Sequence, residues 1–220
     1  MRPQITLSYA QTLDGRLATR SGSSQWISGP ESLRFAHALR ARHDAIMVGI
    51  GTVLADDPRL TVRLVPGRDP LRIVLDSTLR IPREAAVLRD GAARGTIVAC
   101  VAGAAPERQA ALAALGATVL ALPPGPEGGV ELTALLAALG ARGVRTLMVE
   151  GGARLITALL RARLADRLAV CVAPKILGEG INAVGELGLT RLADAYTLQD
   201  VTVTLLGADV IVEGRLDLGA

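Results

Sequence analysis

The chain has 220 residues, of which 50% are hydrophobic and 20% charged, so it can bury a sizeable core and is not intrinsically disordered. Its 24 basic and 21 acidic residues leave a formal net charge of +3 without a basic run, and only 2% of the residues are aromatic, which argues against nucleic-acid binding. No apolar run reaches the roughly 18 residues of a membrane span, and two histidines without a Cys-x-x-Cys pair offer no zinc site.

The start of the chain and its cysteines indicate a cytoplasmic protein. The first residues lead directly into strand-like sequence, so no signal peptide is visible. Cys100 and Cys171 both lie in apolar runs, which predicts two buried, reduced thiols rather than a disulfide.

Strand-like and helix-like segments alternate along most of the chain. Apolar and β-branched runs predict strands at 5–10, 45–50, 71–75, 96–101, 118–122, 146–149 and 167–173. Helical spacing predicts helices at 30–43, 106–115, 132–139 and 153–161, with a brief helical turn at 52–55. At the end, 201–206 and 210–215 flank Gly207-Ala208-Asp209 and predict a β-hairpin.

This alternation predicts a single α/β domain over residues 1–220, with a mostly parallel central sheet flanked by helices. The terminal hairpin would add antiparallel strands at one edge of the sheet. Residues 123–129, Pro-Pro-Gly-Pro-Glu-Gly-Gly, predict a surface loop rather than a domain linker, because the alternation resumes on both sides.

Two strand ends carry glycines and acids suited to ligand binding. At 149–153, Glu150 ends a strand, two glycines allow close approach of a ligand, and the next helix offers free N–H groups to a phosphate. At 49–58, glycines are followed by a short turn in which Asp56 either holds a substrate or tunes a proton transfer. The alternative for both segments is an ordinary turn.

Two further segments suggest a nucleotide. The hydroxyls and the arginine of 76–80 suit a 2′-phosphate, although such a stretch is also a common turn. Glycine and serine surround Trp26, the single tryptophan, which either covers a flat ring or fills the core. Together, the four segments predict a cleft for a phosphate-bearing ligand and a dinucleotide.

Several segments, taken in order, resemble the pyrimidine reductase of riboflavin biosynthesis. They are 13–16 (LDGR), 25–28 (QWIS), 39–45 (LRARHDA), 51–63 (GTVLADDPRLTVR), 72–77 (RIVLDS), 149–152 (VEGG) and 173–178 (APKILG). The match covers nearly the whole chain, and 52–58 followed by 60–63 is its most specific part. The resemblance implies a dihydrofolate-reductase-like fold, a homodimer and NADPH as cofactor. The family reduces the ribose of a 6-(5-phosphoribosylamino)pyrimidine to a ribityl chain by hydride transfer to C1′.

The resemblance also implies site residues. On the cofactor side it implies Ala10, Trp26, Thr52, Asp56 and Ser77, with Gly151, Gly152, Ala153, Arg154 and Leu155 around the pyrophosphate. On the substrate side it implies Ser24, Arg40, Leu60, Arg63 and Glu150. Arg40 and Arg63 suit the 5′-phosphate, and Asp56 and Glu150 are the candidate catalytic carboxylates for an iminium-like centre.

The chain departs from the bacterial pattern in two ways. Bacterial members are commonly fused to a zinc deaminase with H-x-E and P-C-x-x-C motifs, which this chain lacks, so we expect a stand-alone reductase or a fragment. They also often carry lysine where this chain has Ser8. A hydroxyl donates or accepts, whereas an ammonium only donates, which favours a 2,5-diamino substrate over the deaminated uracil. The alternatives are a pterin reductase, which has no use for two phosphate-binding arginines, and an inactive binding module.

Overall fold

The structure is a computed structural model, and it describes residues 1–219. The chain divides into two compact units that alternate along the sequence. The first unit contains Met1–Pro3, Arg40–Val62 and Pro66–Leu147. The second contains Gln4–Leu39, Arg63–Val65 and the described chain from Met148 onward. A single domain over 1–220, of which Ala220 lies outside the described residues, stays a prediction.

Strands and helices alternate along the described chain. The strands are β1 (Gln4–Thr12), β2 (Arg16–Ala18), β3 (Ala45–Gly49), β4 (Leu71–Leu75), β5 (Thr96–Val101), β6 (Thr118–Leu122), β7 (Thr146–Glu150), β8 (Arg167–Ala173), β9 (Ile181–Asn182), β10 (Thr197–Leu206) and β11 (Asp209–Asp217). The helices are α1 (Pro30–Arg42), α2 (Ile50–Asp56), α3 (Pro106–Ala114), α4 (Leu132–Ala141) and α5 (Ala153–Arg161). Short 3₁₀ turns lie at Ala92–Gly95 and Leu192–Asp194.

The first unit contains four parallel strands in the order β3-β4-β5-β6. Apart from the buried Arg72 and Thr96, the middle strands are apolar, as expected for strands that are covered on both faces. Val74 and Val98 belong to a buried cluster that also contains Val53 of α2 and Leu112 of α3. The short helices therefore fix the positions of the strand ends by packing against the sheet.

The second unit contains the order β10-β11-β8-β1, with β7 next to β1. β1 and β8 are parallel, whereas β11 pairs antiparallel with both β8 and β10. Helix α1 contributes Phe35 and Leu39 to a small apolar cluster with Met148 and Ala169. A separate antiparallel pair joins β2 and β9.

The predicted α/β class, with mostly parallel strands and a C-terminal antiparallel hairpin, is confirmed. The strands at 71–75, 96–101, 118–122 and 167–173 and the helix at 153–161 have the predicted bounds. The turn expected at 52–55 is the complete helix α2, and β10 begins at Thr197 rather than at 201. Both cysteines are buried and free, as expected. Among residues 1–219, no helix is long and apolar enough to cross a bilayer.

Candidate functional site

The predicted site residues are distributed over both units. The first unit contains Arg40, Thr52, Asp56, Leu60 and Ser77. The second contains Ala10, Ser24, Trp26, Arg63, Glu150, Gly151, Gly152, Ala153, Arg154 and Leu155. Their roles stay predictions, and the geometry within each unit shows what each residue is able to contact.

In the first unit, the carboxyl ends of β3 and β4 lie side by side, because Gly49 pairs with Leu75. Helix α2 follows β3 directly and carries Thr52 in its first turn and Asp56 at its end. Ser77 follows β4 within two residues. Parallel pairing therefore brings the segments of Thr52 and Ser77 to the same edge of the sheet, where open α/β sheets bind ligands.

The two adjacent acids after α2 differ in environment. Asp57 ends the helix in the left-handed conformation, with φ 39°. Its carboxylate accepts hydrogen bonds from the Ala86 N–H at 2.6 Å and from Arg89 at 3.0 Å. Asp57 therefore connects α2 to the following chain, and Asp56 is an exposed residue.

Asp76, which sequence reasoning did not select, lies at the base of the turn that carries Ser77. Its side chain is fully buried, and one carboxylate oxygen accepts the Ile81 N–H at 2.8 Å. The other oxygen has no hydrogen bond and lies 3.8 Å from Nε of Arg80. Burial raises the pKa of Asp76. The sequence signal that could have identified Asp76 was its position, directly after a buried strand and before two hydroxyl residues.

The predicted loop at 123–129 lies against the same turn. A side chain added at Gly129 would place its Cβ 3.6 Å from Oγ of Ser77. On the other side, Arg108 of α3 donates to the Leu79 carbonyl at 3.2 Å. The turn that carries Ser77 therefore contacts both this loop and Arg108 of α3, two segments that sequence reasoning treated as unrelated to the site.

Arg40 and Leu60 differ in how deeply they are buried. Arg40, in the last turn of α1, donates to the Thr61 carbonyl at 3.0 Å and is partly buried. Leu60 is 1% exposed and belongs to the core of the first unit, and its φ is 52°. The side chain of Leu60 packs in this core, so only the backbone of Leu60 is suited to a substrate contact.

In the second unit, the glycines after β7 have the conformation that a ligand-binding turn needs. Gly151 and Gly152 have φ values of 64° and 83°, which side-chain-bearing residues rarely adopt. Helix α5 begins at Ala153 and has no side-chain cap on its N-terminal N–H groups. These N–H groups suit a phosphate. Leu155 is buried at 5% exposure, so its side chain packs in the core, whereas Arg154 is exposed.

Strand β1 carries Ser8 and Ala10 on one face, since side chains alternate along a strand. Ser8 pairs with Ala169 and Ala10 with Cys171 of β8. Ser8 is 7% exposed, so a substitution by a long ammonium side chain would need a partner there.

Arg63 is positioned by a histidine. Its backbone N–H donates to Nδ1 of His37 at 2.9 Å, and His37 is a buried residue of α1. The side chain of Arg63 extends from an exposed position. Sequence reasoning missed the contact between His37 and Arg63, because the two residues lie 26 positions apart.

Trp26 does not fill the core, which was the alternative to a ring-covering role. It is 68% exposed, and Ser24, two residues before it, is partly buried. An exposed indole on a Gly/Ser-rich segment suits stacking on a planar ligand. Within residues 1–219, no group of three or more His, Cys, Asp or Glu side chains is arranged to hold a metal ion.

The fold and these strand ends define an α/β protein of the dihydrofolate-reductase type. Dihydrofolate reductase from Enterococcus faecalis has a TM-score of 0.55 to this chain over 96% of each chain, and at 15% identity this likeness shows the fold alone. The chain belongs to the family described as the RibD C-terminal domain, whose model matches residues 3–212. The family predicted from the sequence motifs is thereby confirmed.

Named relatives match over nearly the whole chain. The 2,5-diamino-6-ribosylamino-4(3H)-pyrimidinone 5′-phosphate reductase of Methanothermobacter thermautotrophicus is 44% identical over 218 residues, 97% of this chain and 98% of that protein. Riboflavin biosynthesis protein RibD of Aquifex aeolicus is 42% identical over 96% of this chain and 57% of that protein. The structure of Acinetobacter baumannii RibD has a TM-score of 0.85 at 30% identity, over 98% of this chain and 58% of that chain. The chain thus spans a little over half the length of these RibD proteins.

Proposed function

We propose that this protein is an NADPH-dependent reductase of riboflavin biosynthesis. Its substrate is 2,5-diamino-6-ribosylamino-4(3H)-pyrimidinone 5′-phosphate, whose ribosyl group is reduced to a ribityl chain. The observation that carries this proposal is the 44% identity to a reductase of that name, over 97% of this chain and 98% of the relative. A match along both whole lengths supports a shared activity better than a match to one part of a longer protein does.

Each unit contains residues that suit a phosphate group of a dinucleotide. Gly151 and Gly152 leave the start of α5 open, and its uncapped N–H groups would hold the pyrophosphate. Ser77 and the neighbouring Arg80 would hold the 2′-phosphate at the end of β4. When bound, NADPH supplies the hydride that C1′ of the ribose receives.

Other residues would contact the substrate. The guanidinium groups of Arg40 and Arg63 suit the 5′-phosphate. The Arg40 guanidinium donates to the Thr61 carbonyl, and the backbone N–H of Arg63 donates to His37. Ser24 and the backbone of Leu60 would complete the substrate contacts. Glu150 and Asp56 supply negative charge for the iminium-like carbon that forms when the ribose ring opens.

Ser8 supports the diamino substrate over the deaminated one. It is buried on the same face of β1 as Ala10, which is proposed to contact the cofactor. A serine hydroxyl accepts a hydrogen bond from an amino group, which an ammonium at the same position cannot do. The proposed order of reactions therefore has reduction before deamination.

The test follows NADPH absorbance with purified protein and each of two phosphoribosylaminopyrimidines, the 2,5-diamino compound and its deaminated form. Oxidation with the diamino compound supports the proposal in full. A preference for the deaminated compound keeps the reductase and removes the argument from Ser8. Oxidation with neither compound contradicts the proposal and favours a pterin reductase or an inactive binding module.

A further inference from the structure

The chain contains one lysine, Lys175, while its other 23 basic residues are arginines. Lys175 follows β8, and its Nζ donates to the carbonyl of Trp26 at 2.6 Å and to that of Ile27 at 2.8 Å. A single ammonium thus bridges two consecutive carbonyls. A compact ammonium suits this contact, whereas a guanidinium spreads its donors over a planar fork.

The segment that carries Lys175 is itself firmly attached to the end of β1. The carbonyl of Lys175 accepts the N–H of Leu13 at 2.8 Å. The carboxylate of Asp14 accepts the N–H groups of Leu177 at 3.2 Å and Gly178 at 2.7 Å. A hydrogen bond from Thr12 contributes most to lowering the pKa of Asp14 to about 2, so this carboxylate is ionised at neutral pH. The backbone segment that carries Lys175 is therefore held in place by these hydrogen bonds.

The Trp26 loop, residues 24–28, is the other partner in this contact. With 68% of its surface exposed, Trp26 has little packing to fix it. Within the loop, Ile27 N–H donates to the Ser24 carbonyl at 3.1 Å. After the loop, Gly29 N–H donates to the buried Asp209 at 2.7 Å. Lys175 contacts the carbonyls of Trp26 and Ile27, at the end of the first of these hydrogen-bonded turns.

We infer that Lys175 is a positioning residue that holds the Trp26 loop in the conformation in which Trp26 and Ser24 meet the cofactor and the substrate. The ligand part of this inference rests on the proposed function, whereas the control of the loop does not. Loss of the ammonium frees the two carbonyls, so the indole gains rotational freedom even without a ligand. The ligand then has to order the loop when it binds, which weakens binding.

The first experiment measures the fluorescence anisotropy and the acrylamide quenching of Trp26, the single tryptophan, in Lys175→Met without any ligand. We expect lower anisotropy and faster quenching than in the wild type. Arg20→Met is the matched control. Arg20 pairs with Glu179 at 2.5 Å, so this substitution removes one positive charge from a nearby segment without affecting the two carbonyls. Unchanged fluorescence in Lys175→Met, or an equal change in Arg20→Met, would overturn the inference.

The second experiment measures binding. In Lys175→Met we expect the Kd and KM for NADPH to rise about tenfold, with kcat within about threefold of the wild type, because the groups of the reaction remain. A fall in kcat alone would contradict a positioning role. If the wild type itself does not bind NADPH, the proposed function fails, while the ligand-free fluorescence still decides the role of Lys175.

Amine acetylation keeps the inference testable if Lys175→Met does not fold. The chain has one lysine amine, that of Lys175, in addition to the α-amine of its N-terminus. Mass spectrometry of peptides distinguishes two modifications, the first on the α-amine and the second on the lysine. We expect the fluorescence of Trp26 to change only with the second modification. A change that accompanies the first, or none with either, would count against Lys175.

Discussion

Asp76 is a carboxylate buried under the turn that is proposed to bind the cofactor. It accepts one hydrogen bond from the Ile81 N–H, and its second oxygen faces Arg80 at 3.8 Å without a hydrogen bond. Burial raises its pKa, so folding favours the protonated form of this residue. In its ionised form Asp76 is therefore costly for stability, and its position in the turn at 76–81 is suited to orienting Arg80.

The stability contributed by Asp76 should increase as the pH falls. The pKa of Asp76 is higher in the folded than in the unfolded protein, so the folded protein binds this proton more tightly. Loss of the proton as the pH rises therefore lowers the free energy of unfolding. Relative to Asp76→Asn, the free energy of unfolding of the wild type should therefore improve between about pH 7 and about pH 4. Urea denaturation of both proteins measures this, with the exposed Glu84→Gln as control. A difference that does not change with pH would refute the assignment.

Arg63 should act on substrate binding rather than on the hydride transfer. Arg63→Ala removes a guanidinium proposed for the 5′-phosphate but keeps the backbone N–H that donates to His37. We expect the KM for the phosphorylated substrate to rise about tenfold or more, with little change in kcat. Steady-state kinetics test this, with Arg191→Ala, whose arginine pairs with Asp194 at 2.7 Å, as control. An unchanged KM would remove Arg63 from the substrate site.

At the scale of elements, the C-terminal hairpin caps helix α1. Asp209, the first residue of β11, is buried and accepts hydrogen bonds from the Gly29 N–H and from Oγ of Ser32, both at 2.7 Å. The turn approaches so closely that a Cβ at Gly207 would lie 2.9 Å from Glu31. The carboxylate of Asp209, on a distant strand, thus caps the N-terminus of α1 just after the Trp26 loop.

Asp209→Ala should destabilise the protein by about 2 kcal/mol, because it leaves the Gly29 N–H and the Ser32 hydroxyl without their acceptor. Asp200→Asn, on the exposed partner strand β10, should cost less than about 0.5 kcal/mol, since it removes only an ion pair with Arg215 at 3.4 Å that is exposed to solvent. Chemical denaturation of both variants measures these values. Equal losses would show that Asp209 has no capping role.

At the scale of the whole molecule, β10 presents an apolar face that suits a second copy of the chain. Val201, Val203 and Leu205 are 52%, 62% and 73% exposed and alternate along one face of this strand. Such a row on an edge strand promotes association. Together with the homodimer that the family resemblance implies, it supports the proposal that two copies meet through β10.

Val203→Asp should therefore convert a dimer to a monomer. A charge in the middle of the apolar row would be buried without a partner at the interface. Thr204→Asp, on the opposite face of the same strand, is the matched control and should remain dimeric. Sedimentation velocity distinguishes the two. A wild type that is monomeric at all concentrations, or two variants that behave alike, would contradict this interface.

Local patterns in the sequence determined the α/β class, most of the strands and helices, and the family. Apolar runs, Gly151-Gly152 after a strand and the motif at 52–58 are all carried by residues close together in the chain. Only the tertiary structure decided which side chains are buried, such as Leu60, and which are exposed, such as Trp26. It also decided contacts such as Lys175 with Trp26, 149 residues apart, and Ser32 with Asp209, 177 apart. These contacts depend on how distant segments pack, and periodicity along one chain does not encode that packing.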